Sequence, residues 1–289
     1  MRNTIKLTAV AVAAATGALA LGLTACGSSS DPAPAKKADG SVDTSAPLLV
    51  AASPTPHADV LKFVKDNLAG KAGLKLDVKV FTDYVLPNKA TEDGQVGANY
   101  FQHKPYLDDF NAKNGTHIVP VVNVHLEPLG LYSKKAKALT DIKAGQTIAV
   151  PNDNTNEGRA LQLLAENNLI TLKQGVGSTA KLSDITDAKG LKFKELEAAT
   201  LPRALGEVDA AVINGNYAIE ADLKPKEQAL ALEKAEGNPY ANFLAVKKGN
   251  ENDPRVVKLA ELLNSPEVKK FIEDKYAGSV ITAFGKPQA

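Results

Sequence analysis

The chain has 289 residues, with 34 Lys and Arg against 33 Asp and Glu for a formal net charge of +1, one cysteine and no tryptophan. A near-neutral balance without a basic run excludes the electrostatic footprint of a nucleic-acid-binding protein, and a lone cysteine excludes an internal disulfide or a site of paired thiolates. At 44% hydrophobic and 23% charged residues, the composition is that of a globular protein, not of a disordered tail or a set of membrane spans.

Arg2 and Lys6 precede an uncharged stretch from Leu7 to Ala25 that ends at the single cysteine, Cys26. This is the layout of a secretory signal peptide, and the interrupting Thr8, Thr16, Gly17, Gly22 and Thr24, with no charged stop-transfer flank, argue against a spanning helix. Leu23-Thr24-Ala25-Cys26 resembles the bacterial lipobox, in which the cysteine is lipidated and becomes the first residue after cleavage. Acyl chains at about 0.8 kcal/mol per buried methylene would hold the body on a membrane without crossing it. Loss of Arg2 and Lys6 leaves 32 basic against 33 acidic residues, a charge of −1. Residues 26–46 are rich in Ser, Pro, Gly and Ala without apolar periodicity, as in a flexible tether.

From Pro47 onward the chain reads as a folded body. Leu48–Ala52 is an apolar strand stopped by Ser-Pro-Thr-Pro, and Val60, Leu61, Val64 and Leu68 mark one face of a helix over 57–68. Leu76–Phe81 alternates as a strand, Thr147–Val150 is a strand stopped by Pro151, and a helix is predicted over 158–167. Lys192–Leu196 is a strand, Leu201–Leu205 starts a helix, and Ala210–Ile213 is a buried strand ending at Asn214. Two closing helices follow, over 256–263 and 266–276, the second with Ser265 as N-cap and Pro266 at its first position. Strands alternating with helices predict an α/β fold with mostly parallel sheets. Pro128–Lys135 and Pro239–Lys248 resemble each other and read as strands that carry the chain out of one lobe and back. The expected division is lobe I at 47–128 plus 244–289 and lobe II at 129–243, with a cleft between them.

Six of the 15 Phe and Tyr residues fall between Phe81 and Phe110. Phe81 and Phe110 read as core, whereas Tyr84, Phe101 and Tyr106 stand among polar or helix-breaking neighbours, as rings on loops that line a pocket. No HExxH, CxxC, GxSxG, P-loop or GxGxxG occurs, so no metal site and no cofactor is expected, and nucleophilic, phosphoryl and dinucleotide chemistry have no signature. His57, His103, His117 and His125 carry no metal-ligand spacing. Pro151 to Arg159 (PNDNTNEGR) joins a strand to a helix; its Asn, Asp and Thr suit helix capping, and Arg159 suits a bidentate clamp on a carboxylate. Asn214 and Asn242 offer amide carbonyls that accept from an ammonium without adding charge.

The segments DYVLPN, FQHKPYLD, GLYSKK, AVPNDNTNEGRAL, LPRAL, AVINGNYA and PYANFLAV, in that order, resemble the methionine-binding lipoproteins of bacterial ABC importers, the NlpA/MetQ family. The resemblance implies a two-lobed periplasmic-binding-protein fold, type II-like, that closes over one amino acid and performs no catalysis. It implies that Tyr84, Phe101, His103 and Tyr106 form the side-chain pocket, that Arg159 holds the ligand carboxylate, and that Asn214 and Asn242, with Asn156 a lesser candidate, hold the polar end. A thioether among aromatic edges gains about 0.3 to 1.5 kcal/mol per contact. Gly215-Asn216 departs from the small hydroxyl residues usual after the AVIN motif. The partners implied are L- or D-methionine, an importer permease with its ATPase, and the membrane through a lipid anchor on the extracytoplasmic face. Alternatives are another amino acid or a methionine-containing dipeptide in the same fold, a surface hydrolase using His103 with a nearby carboxylate, or an adhesin with a vestigial cleft.

Overall fold

The computed structural model describes residues 43–287. The signal segment, Cys26 and the tether as far as residue 42 lie outside the described residues.

In chain order, the first part comprises β1 (Leu48–Ala52), a helical stretch with α1 (Asp59–Val64) at its centre, β2 (Leu76–Val80), α2 (Leu86–Glu92), β3 (Ala98–His103), α3 (Lys104–Asn114) and β4 (Ile118–Leu126). The middle part runs through β5 (Gly130–Tyr132), β6 (Thr147–Pro151), α4 (Asn154–Glu166), β7 (Thr171–Leu172), β8 (Ile185–Asp187), β9 (Lys192–Leu196), α5 (Leu201–Ala204), β10 (Ala210–Ile213), α6 (Gly215–Glu220), α7 (Pro225–Gln228) and β11 (Ala231–Leu232). The chain then returns through β12 (Ala241–Lys247), α8 (Pro254–Leu263), α9 (Pro266–Tyr276) and β13 (Ile281–Gly285).

The strands form two principal sheets, in the orders β13-β4-β12-β3-β1-β2 and β11-β5-β10-β6-β9, and the molecule is a two-lobed α/β fold. The chain leaves the first sheet after Leu126 and re-enters it at Ala241, so residues 241–243, assigned to the second lobe from the sequence, stand in the first sheet. The sheets are mixed, not mostly parallel. β1 pairs in parallel with β2 and β3, and β6 with β9 and β10, but β12 runs antiparallel to β3 and β4, and β5 to β10 and β11. The antiparallel members include the strands on either side of the two crossings, which periodicity alone does not orient.

Alternation explains why the strands are apolar on both sides. In β6, Ile148 and Val150 enter one core while Ala149 enters the other; in β10, Val212 and Ile213 divide likewise. Each such Leu, Ile or Val, buried fully, contributes about 1.5 to 3 kcal/mol. Val60, Leu61 and Val64 of α1 are fully buried in the core of the first lobe, as their spacing requires. Ser265 caps α9 by accepting from the Val268 amide at 3.3 Å, with Pro266 in the first turn.

Two departures from the sequence reading have a clear local cause. β4, nine residues long and adjacent to β12, was not foreseen, because Pro120 interrupts it; the proline is accommodated opposite Ala245, where the β12–β4 register shifts. α4 begins at Asn154, four residues earlier than the apolar pattern predicts, because Asp153 caps it and accepts from the Asn156 amide at 3.0 Å. Among the described residues, no helix is long and apolar enough to cross a membrane.

Candidate functional site

The site lies where the ends of β3, β4, β6, β10 and β12 converge. A cavity is lined by all eight residues singled out from the sequence: Tyr84, Phe101, His103, Tyr106, Asn156, Arg159, Asn214 and Asn242. Gln102, Glu127, Gly215 and Asn216 complete the lining. Strand ends gather these residues from positions as far apart as 84 and 242, which is why ligands of α/β folds sit there.

One wall is aromatic. Phe101, Tyr106 and Phe110 form a buried cluster with Tyr84 against it, and the Tyr84 ring lies 6.0 Å from Phe101 and 5.7 Å from Tyr106. Tyr84 stands in the loop before α2, but Phe101 and His103 belong to β3 and Tyr106 to the first turn of α3, so two of the three rings expected on loops are held by regular structure. The strand continues through Phe-Gln-His because β12 pairs with it as far as His103. His103 then caps α3, its Nδ1 accepting from the Tyr106 amide at 3.3 Å, while its Nε2–H donates to Asn156 Oδ1 at 3.2 Å. Burial, with the nearby Arg159 charge, pushes the His103 pKa down to about 3, so the ring is neutral.

The opposite wall is polar. Arg159, on the second turn of α4, donates from Nε to Glu233 Oε1 at 2.8 Å and from Nη2 to Glu233 Oε2 at 2.5 Å and to the Glu127 carbonyl at 2.9 Å. Its guanidinium lies 4.2 Å from the Tyr240 ring centre. Against the cost of burial, the Arg159 charge holds the Glu233 carboxyl below its usual range. Nη1 has no hydrogen-bond partner among the described residues, which leaves one donor group of a firmly held, cavity-lining guanidinium unused. Gly158 allows α4 this position, since a Cβ there would come within 2.2 Å of the Ser178 carbonyl oxygen.

Asn156 is a hub. Its Oδ1 accepts from His103 and, at 2.9 Å, from Asn214 Nδ2, and its Nδ2 donates to Asp153, so its capacity is engaged within the protein. Asn214 Oδ1 and Asn216 Nδ2 are buried without a partner among the described residues. Contacts between the two lobes close the cleft around the cavity: Tyr84 donates to Asn216 Oδ1 at 2.5 Å, Tyr217 to the Thr82 carbonyl at 3.1 Å, and Asn154 to Asp109 at 3.1 Å.

A model of the NlpA lipoprotein family matches residues 48–284. The chain belongs to the NlpA lipoprotein family. Similar to this member is the methionine-binding lipoprotein MetQ of Bacillus subtilis, 42% identical over 264 residues that cover 90% of this chain and 93% of the relative. A nutrient-binding protein from Burkholderia cenocepacia, solved bound to methionine, is 44% identical, with a TM-score of 0.79 over 82% of this chain and all of that one. An ABC transporter periplasmic substrate-binding protein from Coxiella burnetii is 42% identical, with a TM-score of 0.77 over 82% of this chain and 100% of that one.

Sequence reasoning about this NlpA-family chain missed Glu233 and Tyr240, which orient Arg159, and a buried cluster beneath the cavity. There His57, His125 and Glu127 place their nitrogen and oxygen atoms within 4.8 Å of one another. Glu127 Oε1 lies 2.6 Å from His125 Nε2 and 3.2 Å from His57 Nε2. These are hydrogen-bond distances, the first well below the spacing of about 3.3 Å between ligands around a tetrahedral zinc. The available signal was His125-x-Glu127, two polar residues on one face at the end of an apolar strand; Glu233 had none.

Proposed function

We propose that this chain is an extracytoplasmic substrate-binding lipoprotein that captures methionine and delivers it to an ABC permease, with no covalent change to its ligand. The reading rests on one arrangement: a rigid guanidinium edge and an unpartnered amide carbonyl face an aromatic wall within a single cavity. A carboxylate paired with Arg159 Nη1 and an ammonium near Asn214 Oδ1 and Asn242 would leave the side chain among Tyr84, Phe101 and Tyr106, where a thioether is favoured by ring edges. The methionine-bound relative and the names of the curated relatives support this choice of ligand.

A ligand touching both lobes stabilises the closed form by its differential affinity, and the closed form is the one a permease with its ATPase would engage. The lobes are residues 47–128 with the segment from 241 onward, and the span between. Cys26, lipidated after signal cleavage, would anchor the protein to the membrane with residues 27–46 as tether. A hydrolase reading is disfavoured, because His103 has both ring nitrogens engaged and an amide, not a carboxylate, beside it. The test is calorimetric titration of ligand-stripped protein with L-methionine, D-methionine and short methionine peptides. Heat with either isomer is expected, and silence with both removes methionine as the ligand.

A further inference from the structure

In an amino acid held by amides alone, the ligand ammonium would have no charged partner of its own, because the nearest guanidinium and carboxylate are already paired. Arg159 and Glu233 form a closed pair. A zwitterion adds one carboxylate, which the free guanidinium edge accepts, and one ammonium. A buried ammonium facing only neutral carbonyls is poorly compensated. The acidic residue in the cavity lining is Glu127, just past the end of β4 and 5% exposed.

Glu127 is held as a hydrogen-bond acceptor. The Tyr100 hydroxyl contacts His125 Nδ1; with that hydroxyl as donor, His125 Nε2–H donates to Glu127 Oε1 at 2.6 Å. His57 Nε2–H is shared between Glu127 Oε1 at 3.2 Å and Asn242 Oδ1 at 3.0 Å. Burial holds both histidines neutral, with pKa values near 4 for His57 and 3 for His125, so each is a donor without charge. The Asn216 backbone N–H also favours the carboxylate form of Glu127. Gly215 lets α6 approach: a Cβ there would meet Glu127 Cβ at 2.7 Å.

We propose that Glu127, backed by His57 and His125, is the anionic acceptor for the ligand ammonium, and that it makes the site selective for a free primary amine. This deepens the amino-acid-binding reading and rests on it. Asn242 then acts partly as a positioning residue, its carbonyl turned toward His57. Burial raises the pKa of the Glu127 carboxyl, opposed by His57, the Asn216 amide and Arg159. The titratable groups around it are His57, His125 and Arg159, with the Tyr84 and Tyr100 phenols, whose pKa values burial and the Glu127 charge raise. Ammonium binding therefore displaces a proton from any protonated fraction of Glu127.

The experiment compares L-methionine with its 2-hydroxy analogue, in which a hydroxyl replaces the ammonium, by titration calorimetry of ligand-stripped wild type and Glu127→Gln. The variant is expected to weaken methionine on the order of 30-fold while changing the hydroxy analogue by less than about threefold. Equal losses for both ligands, or none for methionine, overturn the assignment of Glu127 and leave methionine binding standing. Wild type that binds no methionine overturns both. Should Glu127→Gln not fold, proton release is read in wild type from buffers of different ionisation heat at mildly acidic pH. Methionine is expected to release more protons than the hydroxy analogue, and equal release overturns the proposal. Zinc bound at the cluster, with methionine affinity lost on chelation, overturns it in favour of a metal site.

Discussion

Two arginines of this molecule are almost equally buried and equally well paired, yet they serve different ends. Arg255, in the first turn of α8, pairs with Asp253 two residues away, through Nε at 3.1 Å and Nη2 at 2.7 Å, and its Nη1 donates to the Ala46 carbonyl at 3.4 Å. All three nitrogens are engaged, and the pair is local: it caps a helix and ties down the start of the described chain. Arg159 has the same two-point pairing, but its partner Glu233 is 74 residues away and Nη1 is left over. Burial and an ion pair therefore do not by themselves mark a functional arginine. The unused edge does, together with a partner that fixes the guanidinium without consuming it.

The largest effect expected to separate these regions is that of pH. His103 lines the cavity and His57 and His125 lie behind Glu127, and burial holds their pKa values at about 3, 4 and 3. Above the ordinary histidine value of 6.5 both folded and unfolded states are neutral and nothing depends on pH. As pH falls below 6.5 the unfolded chain takes up protons that the native chain refuses, so stability is lost, by roughly 5 kcal/mol between pH 6.5 and 5 for the three histidines, less a smaller opposing contribution from Glu127. Denaturant melts across this range check the sign, and stability flat in pH would mean that the histidines are not held neutral. Hydrogen exchange should show the cavity elements opening before α8.

Arg159→Ala should weaken methionine binding on the order of 100-fold, since the ligand carboxylate loses a charged donor in a dry cavity. Unchanged affinity in a calorimetric titration would put Arg159 outside the ligand contacts. Arg255→Ala should do the converse, lowering stability by about 2 to 3 kcal/mol by stranding Asp253 while leaving affinity within about twofold. Paired denaturation and binding curves for the two variants test whether local and long-range pairs divide the work in this way. The smallest effect is Tyr84→Phe, which strands Asn216 Oδ1 and removes one contact across the cleft, at a cost of about 1 kcal/mol in binding. A loss as large as that of Arg159→Ala would move the main anchor to the aromatic wall.

Much of the first-lobe core was legible because α1 and β1 advertise themselves by spacing, with Val60, Leu61 and Val64 at helical intervals and Leu48, Val50 and Ala52 at strand intervals. β4 was not legible, since Pro120 breaks its run and the register shift that tolerates the proline belongs to the pairing with β12. The early start of α4 was hidden for a related reason. Its first turn, Asn-Thr-Asn-Glu, has no apolar face, and Asp153 supplies the start signal that hydrophobicity cannot show. The eight candidate residues, which now line one cavity, were chosen by motif; nothing in their spacing told which would touch.

By itself the sequence determined the α/β class, the two-lobed expectation, and the residue types capable of holding a charged, apolar-tailed ligand, because composition, periodicity and local motifs are properties of neighbouring residues. Only the tertiary structure decided which edge of Arg159 is free, that Asn156 spends its amide on His103 and Asn214, and that His57, His125 and Glu127 share one buried chain of hydrogen bonds. Apart from His125 and Glu127, two residues apart on one strand end, those outcomes are set by partners 32 or more residues apart. A buried polar group is defined by what satisfies it, and that is fixed only when the strands meet.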